Sequence, residues 1–124
     1  MFFSKKAEFK EVRKRDGRLV AFDEPKITSA ISRAMQATDE GNAKDDAEKV
    51  SQAVVEALAK KFKKEHVPTI EEIQDIVETQ LILSDFPKTA KAYILYRKDR
   101  AEIREMKKSV PERVVELTRE SKKY

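Results

Sequence analysis

The sequence predicts an α+β fold that is mainly α: a four-helix bundle capped by an N-terminal β-hairpin, with a place for a short third strand and with a further C-terminal helix. Three observations point there. An Asp16-Gly17 pair sits inside a short run, Val12 to Phe22, that carries several cations, and Asp-Gly is a strong hairpin signal. Downstream, apolar residues recur at helical spacing in four successive stretches. The 124 residues include only 2 glycines and 4 prolines, too few for a chain rich in turns.

Residues 1–8 read as a flexible lead-in and residues 9–22 as the hairpin. Asp-Gly tolerates the positive φ of a two-residue type I′ turn, so 11–15 is expected to pair antiparallel with 18–22. Asp23 then caps a helix over 24–38, with Pro25 and Lys26 in its first turn. Its apolar positions are Ile27, Ala30, Ile31, Ala34 and Met35, which form one face. Glu40-Gly41-Asn42 breaks it. A second helix over 44–64 uses Ala47, Val50, Val54, Ala57 and Leu58. His66-Val67-Pro68 follows, where Val67 is the candidate for the third strand. Thr69-x-x-Glu72 is a capping box opening a third helix that runs to about Leu83 through Ile73, Ile76, Val77 and Leu81. After a turn at Ser84–Pro87, a fourth helix carries Ala90, Tyr93, Ile94, Arg97 and Ala101 as far as Met106. Ser109-x-x-Glu112 is a second capping box, opening a fifth helix with Val114, Leu117 and Tyr124 on one face. The helical segments most firmly expected are 26–36, 46–62, 71–82 and 88–103. Amphipathic helices of this kind must bury their faces on one another, and the hairpin must pack on them to be stable.

The length fits one domain. The 27 Lys+Arg stand against 23 Asp+Glu, a net charge of +4. That balance suits an anionic ligand without demanding nucleic acid, which is not expected here. With no cysteine, a disulfide framework and a zinc ribbon are both excluded. His66 is the only histidine, so a histidine dyad cannot form. Phosphate-loop and dinucleotide-binding glycine motifs are absent. No apolar run approaches the ~20 residues of a membrane span, and the expected location is the cytoplasm. Acidic residues fall on helix faces with lysine partners and read as solvation rather than acid–base chemistry.

Two places hint at phosphate binding from residue chemistry. Lys14 and Arg15 lie beside the turn on opposite faces of the first strand. They serve either an anion or simply a solvated strand edge. Lys26 stands in the first turn of helix one, where a cation opposes the helix dipole. An anion held between that cation and the free N–H groups of the helix end would remove the conflict, although Asp23 and Glu24 also offset it. Arg97 offers a guanidinium suited to bidentate phosphate contact. Lys91, between Ala90 and Ala92, could equally be a lysine snorkelling at the bundle edge.

The string Lys14-Arg15-Asp16-Gly17-Arg18, then Phe22-Asp23 and Lys26-Ile27, resembles the opening of the ATP-cone, the nucleotide-sensing domain at the front of many ribonucleotide reductases. The resemblance continues in Val67-Pro68-Thr69-Ile70-Glu71-Glu72-Ile73-Gln74-Asp75-Ile76-Val77-Glu78 and closes in Ala90-Lys91-Ala92-Tyr93-Ile94-Leu95-Tyr96-Arg97. It implies a cone over 9–105 and a helix or linker over 106–124 leading to a catalytic domain, most like that of an anaerobic or cobalamin-dependent ribonucleoside-triphosphate reductase. It implies ATP or dATP as allosteric ligand with an accompanying Mg²⁺. In relatives ATP keeps the reductase active and dATP switches it off. The implied nucleotide contacts are Val12 and Gln74 at the base, with Thr69, and Lys14, Arg15, Lys26, Lys91 and Arg97 toward the phosphates. Val20 stands where class I cones carry a glutamate. The implied partners are the catalytic part of the reductase or another subunit, and a second copy through self-association. The chain by itself is not expected to be an enzyme, since the reductase reaction needs thiols. Two other readings stay open: the cone part of a transcriptional repressor of reductase genes, and a helical interaction module without ligand.

Overall fold

The computed structural model describes residues 10–62 and 66–109. The expected lead-in over 1–8 and most of the expected C-terminal helix lie outside them. The element order is β1 (Glu11–Arg13), β2 (Leu19–Ala21), α1 (Glu24–Thr38), α2 (Asp45–Lys61), α3 (Ile70–Leu83) and α4 (Pro87–Ser109). The fold is thus α+β and mainly α, as the sequence predicts. Contacts divide the chain into two units, Met1–Tyr93 and Ile94–Tyr124.

In the first unit the helical residues of the buried core come from the four expected faces, whereas Ile94, also expected on the face of α4, is exposed. Ile31 and Met35 of α1 meet Val50, Val54 and Leu58 of α2, Val77 and Leu81 of α3, and Ala90 and Tyr93 of α4 in one apolar cluster. Leu58 and Leu81 are fully enclosed; truncating a leucine so placed costs about 2–5 kcal/mol. Hydroxyls tie the helices where the core thins. Thr28 donates to Ser51 at 2.7 Å, and the Thr38 and Thr89 hydroxyls lie 3.3 Å apart. One helix end differs from expectation. α1 ends at Thr38 as expected, and its C-cap Asp39 takes the left-handed conformation (φ 53°), which lets its N–H reach the Met35 and Gln36 carbonyls. α2 ends at Lys61 rather than near 64, because Phe62 turns to extended backbone and its ring is buried.

The hairpin is closed differently from the two-residue expectation. The register is Glu11 with Ala21, Val12 with Val20 and Arg13 with Leu19. Lys14 and Arg18 close the ladder, with Lys14 N–H donating to the Arg18 carbonyl at 2.8 Å. Arg15, Asp16 and Gly17 therefore form a three-residue loop. Gly17 alone takes positive φ (91°), and its N–H returns to the Lys14 carbonyl at 2.9 Å. This is a turn followed by one left-handed residue, the usual three-residue hairpin closure. Asp16 favours it by accepting from the Arg18 backbone N–H at 3.0 Å and from its guanidinium at 2.7 Å. The register moves by one residue from expectation, and the pairing places Val12 opposite Val20.

A two-stranded hairpin is marginal alone, and this one is pinned to the bundle. Val12 is buried at 4% exposure. Arg13 N–H donates to the Pro68 carbonyl at 3.0 Å, and Arg13 makes a parallel bridge with Thr69. The expected third-strand contact thus falls at Pro68–Thr69 rather than at Val67. Pro68 has no N–H, so it can only accept from β1.

In the second unit, the described residues continue α4 from Ile94 to Ser109. Leu95, Tyr96, Ile103 and Met106 are exposed there. No helix among the described residues is long and apolar enough to cross a membrane.

Candidate functional site

The first turn of each helix shows where the chain keeps its polar groups available. An α-helix begins with N–H groups that lack an internal acceptor. At α3 the capping box is complete: the Thr69 hydroxyl accepts from Glu72 N–H at 3.1 Å, and Glu72 accepts from Thr69 N–H at 2.9 Å. At α2, Asn42 Oδ1 accepts from Lys44 N–H at 2.9 Å and Asp45 N–H at 2.8 Å. At α4 the acceptor comes from far away in sequence. Glu40, in the α1–α2 loop, takes Thr89 N–H at 2.7 Å and Lys88 N–H at 3.3 Å. Desolvation pushes the Glu40 carboxyl up, but the hydrogen bonds from Thr89 and Lys88 outweigh it and hold the group below its ordinary range.

Among the described helices, α1 is the one whose first turn has no side-chain acceptor. Asp23 occupies the cap position with extended backbone but makes no side-chain cap hydrogen bond. The expected role of its carboxylate as a cap is therefore not realised. The supply of open N–H groups is also thinner than the sequence suggests. Pro25 has none, and Lys26 N–H goes to the Asp23 carbonyl at 3.2 Å.

Beside this end lies a cavity of about 200 Å³ between the hairpin, the start of α1 and the start of α3. Its apolar lining includes Val12, Val20, Phe22, Ile27, Ile70 and Ile73, and its polar lining is Lys14, Asp23 and Lys26. Val12 and Ile73 are buried, whereas Lys14, Asp23 and Lys26 are exposed, so the charges stand at the mouth over an apolar floor. Ligand pockets more often hold about 300–1000 Å³. A larger groove of about 750 Å³ follows another face of α1, along α2. Glu24, Glu48 and Lys44 are its charged residues, two acids against one base, whereas the smaller cavity has two lysines against one aspartate.

Of the residues singled out from sequence, Val12, Lys14 and Lys26 meet in this one cavity. The others are distributed around it or elsewhere. Arg15 is held by Glu71, with Nε 2.7 Å from Oε1. Thr69 is committed to the α3 cap through both its hydroxyl and its N–H. Gln74 does not line the cavity, although it lies one turn past Ile70; its Oε1 is buried without a hydrogen-bond partner. Lys91 is exposed on α4 and is not among the lining residues. Arg97 is half-buried in the second unit. Sequence reasoning missed the lining roles of Phe22, Asp23, Ile27, Ile70 and Ile73. The signal was present in part, since Ile70 and Ile73 stand one turn apart directly after a cap.

Residues 10–102 match the ATP cone domain. The chain belongs to the ATP-cone family. The cone is 47% identical over 103 residues to a vitamin B12-dependent ribonucleoside-diphosphate reductase of Thermoplasma acidophilum, covering 79% of this chain and 13% of that one. It is 38% identical over 100 residues to the enzyme of the same name from Mycobacterium tuberculosis, again with 78% and 13% covered. It is 37% identical over 89 residues to an anaerobic ribonucleoside-triphosphate reductase of Escherichia coli, with 72% and 12% covered. The chain thus spans about an eighth of the length of these relatives, and the similarity concerns their cones. Among the described residues no cluster of three or more His, Asp or Glu could hold a metal ion. A Mg²⁺ would have to arrive with the phosphates and be held by them and by water.

Proposed function

We propose that this cone is the allosteric nucleotide sensor of a ribonucleotide reductase and that it binds ATP or dATP, with Mg²⁺, in the cavity between hairpin, α1 and α3. The observation that carries this reading is the meeting of Lys14 and Lys26, from two separate elements, at the mouth of an apolar cavity lined by Val12 and Ile73. The base enters the apolar part against Val12. The triphosphate lies across Lys14 and Lys26, whose charges offset the loss of phosphate hydration. Asp23 is at the same mouth and suits the ribose hydroxyls as an acceptor. Arg15 and Lys91 are the further cations within unit one that the phosphates would recruit. Gln74, with its unsatisfied Oε1, would read the base edge, and Thr69 would support the pocket wall.

A sensor also needs an output. Ligand must favour one of two arrangements by a difference in affinity. The proposed output is a change in subunit contacts, either with the catalytic part of the reductase or with a second cone. Exposed apolar residues on α4 such as Tyr96 and Met106 supply surface for such contacts. In this reading the chain regulates and does not itself catalyse, and its place is the cytoplasm. In the repressor alternative the cone follows a zinc ribbon, and this chain, which has no cysteine, would be at most part of such a protein. A calorimetric titration with ATP and dATP tests the binding. Heat of binding with affinity weakened in Lys14→Ala and Lys26→Ala is expected; a flat titration of the folded parent ends the proposal. Sedimentation without ligand, with ATP and with dATP tests the output, and three identical profiles of the intact reductase would count against it.

A further inference from the structure

The hairpin tip is tied to α3 by the one cation that the proposed ligand would also demand. Arg15 Nε lies 2.7 Å from Glu71 Oε1, and both side chains are partly exposed, at 39% and 43%. Arg15 follows directly on Lys14, which lines the cavity mouth. The neighbouring acid cannot take over the tie, because Glu72 is engaged in the capping box with Thr69. Glu71 itself sits in the first turn of α3, where the helix dipole favours a negative charge even without a partner.

We infer that Arg15–Glu71 is a latch that nucleotide opens: the phosphates draw Arg15 away from Glu71 and so release the hairpin tip from α3. This deepens the proposed nucleotide reading and rests on it. The exchange is feasible on charge grounds. A half-exposed pair between single charges is worth little, about 0–1 kcal/mol, whereas a polyphosphate offers several acceptor oxygens and can hold a guanidinium in bidentate fashion. Glu71 is left in a tolerable place at the α3 N-terminus, so opening strands neither charge. The consequence is mechanical. The Arg13 backbone bond to Pro68, the bridge to Thr69 and the packing of Val12 with Ile73 remain, and the loop of Arg15, Asp16 and Gly17 is released to follow the ligand. Binding at the cavity is thereby reported at the start of α3.

The inference makes Glu71 a competitor for Arg15 rather than a support for the site, and the two roles predict opposite signs. ATP affinity is measured by calorimetry at physiological salt for the parent, Glu71→Gln, Arg15→Ala and the double variant. Glu71→Gln keeps the shape and removes the charge, and it should tighten ATP binding about two- to fivefold, the range that a surface ion pair can supply. Arg15→Ala should weaken binding, and adding Glu71→Gln to it should change nothing further. Unchanged or weaker binding in Glu71→Gln overturns the latch. So does an equal gain with and without Arg15, which would mark simple repulsion between Glu71 and the phosphates. If the parent itself binds no ATP, the nucleotide reading fails and the latch with it; if the parent binds and Glu71→Gln does not bind more tightly, the latch alone fails.

Discussion

The start of α1 and the start of α4 face the same physical problem and solve it oppositely. Both expose N–H groups that the helix cannot satisfy. At α4, Glu40 reaches in from the α1–α2 loop and accepts from Lys88 and Thr89, with the Thr38 and Thr89 hydroxyls adjoining. The loop that carries Glu40 is itself tightly fitted: Gly41 takes positive φ (73°), and a Cβ there would come within 2.8 Å of the Phe86 ring. At α1, Asp23 makes no cap hydrogen bond, and Lys26 adds a cation where the dipole is already positive. The sealed end is a structural joint. The uncapped end carries Lys26 beside Asp23 and Glu24, with Lys14 across the cavity mouth, and is the end where the proposed anion would bind. The difference teaches where to look for function: at the helix end that the fold leaves electrostatically unfinished.

The sharpest way to break this comparison is at the unfinished end. Lys14→Ala and Lys26→Ala should each weaken ATP binding by about 1.5–3 kcal/mol, the scale of a hydrogen bond to a charged group, or about ten- to a hundredfold. Their melting temperatures should not fall, and Lys26→Ala should gain slightly because a cation leaves the helix start. Parent-like affinity in both would mean that α1 is merely uncapped.

The sealed end should behave in reverse. Glu40→Ala leaves two N–H groups without their acceptor and should lower stability by about 1–2 kcal/mol, as lost caps do. ATP affinity should stay within about twofold, since distant sites act independently. Thermal melts and calorimetry on one variant check both halves.

Thr69→Ala removes the hydroxyl half of the α3 capping box and should cost about 1 kcal/mol. If it also weakens ATP binding tenfold, Thr69 belongs to the site as well as to the cap.

Acid should loosen the sealed end without variants. The Glu40 carboxyl is held below its ordinary range by the Thr89 and Lys88 donors against desolvation. Its folded pKa is thus below its unfolded one, so its contribution is full above the unfolded value and is lost as pH falls through the folded one. Melts from pH 6 down to about pH 3 should show a decline that is smaller in Glu40→Gln.

The smallest effect is expected at Asp23. With no cap bond to lose, Asp23→Ala should change stability by no more than about 0.5 kcal/mol. A larger loss would make α1 an ordinary capped helix and weaken the contrast.

Local chemistry was legible in the sequence wherever its partners lie within a few residues. The spacing of Ile27, Ile31 and Met35 set the face of α1, and Thr69-x-x-Glu72 set the start of α3, because helical phase and capping act over three or four residues. The candidate site was legible where a cation stood beside a turn or a helix start, as Lys14 and Lys26 do. The hairpin register was not. Asp16-Gly17 is compatible with two closures, and packing, with Val12 buried opposite Val20, decided between them.

What the sequence alone determined about this protein is the four described helices, the presence of the hairpin and the family. Tertiary structure alone decided which distant groups meet. Glu40 caps a helix that starts more than forty residues later, Arg15 turns to Glu71, and Lys14 and Lys26 converge on one cavity while Lys91 stays outside its lining. The reason is physical. Propensity, caps and periodicity are properties of neighbouring residues, whereas the meeting of remote charges depends on how the buried faces pack, and nothing in the local chain encodes that distance.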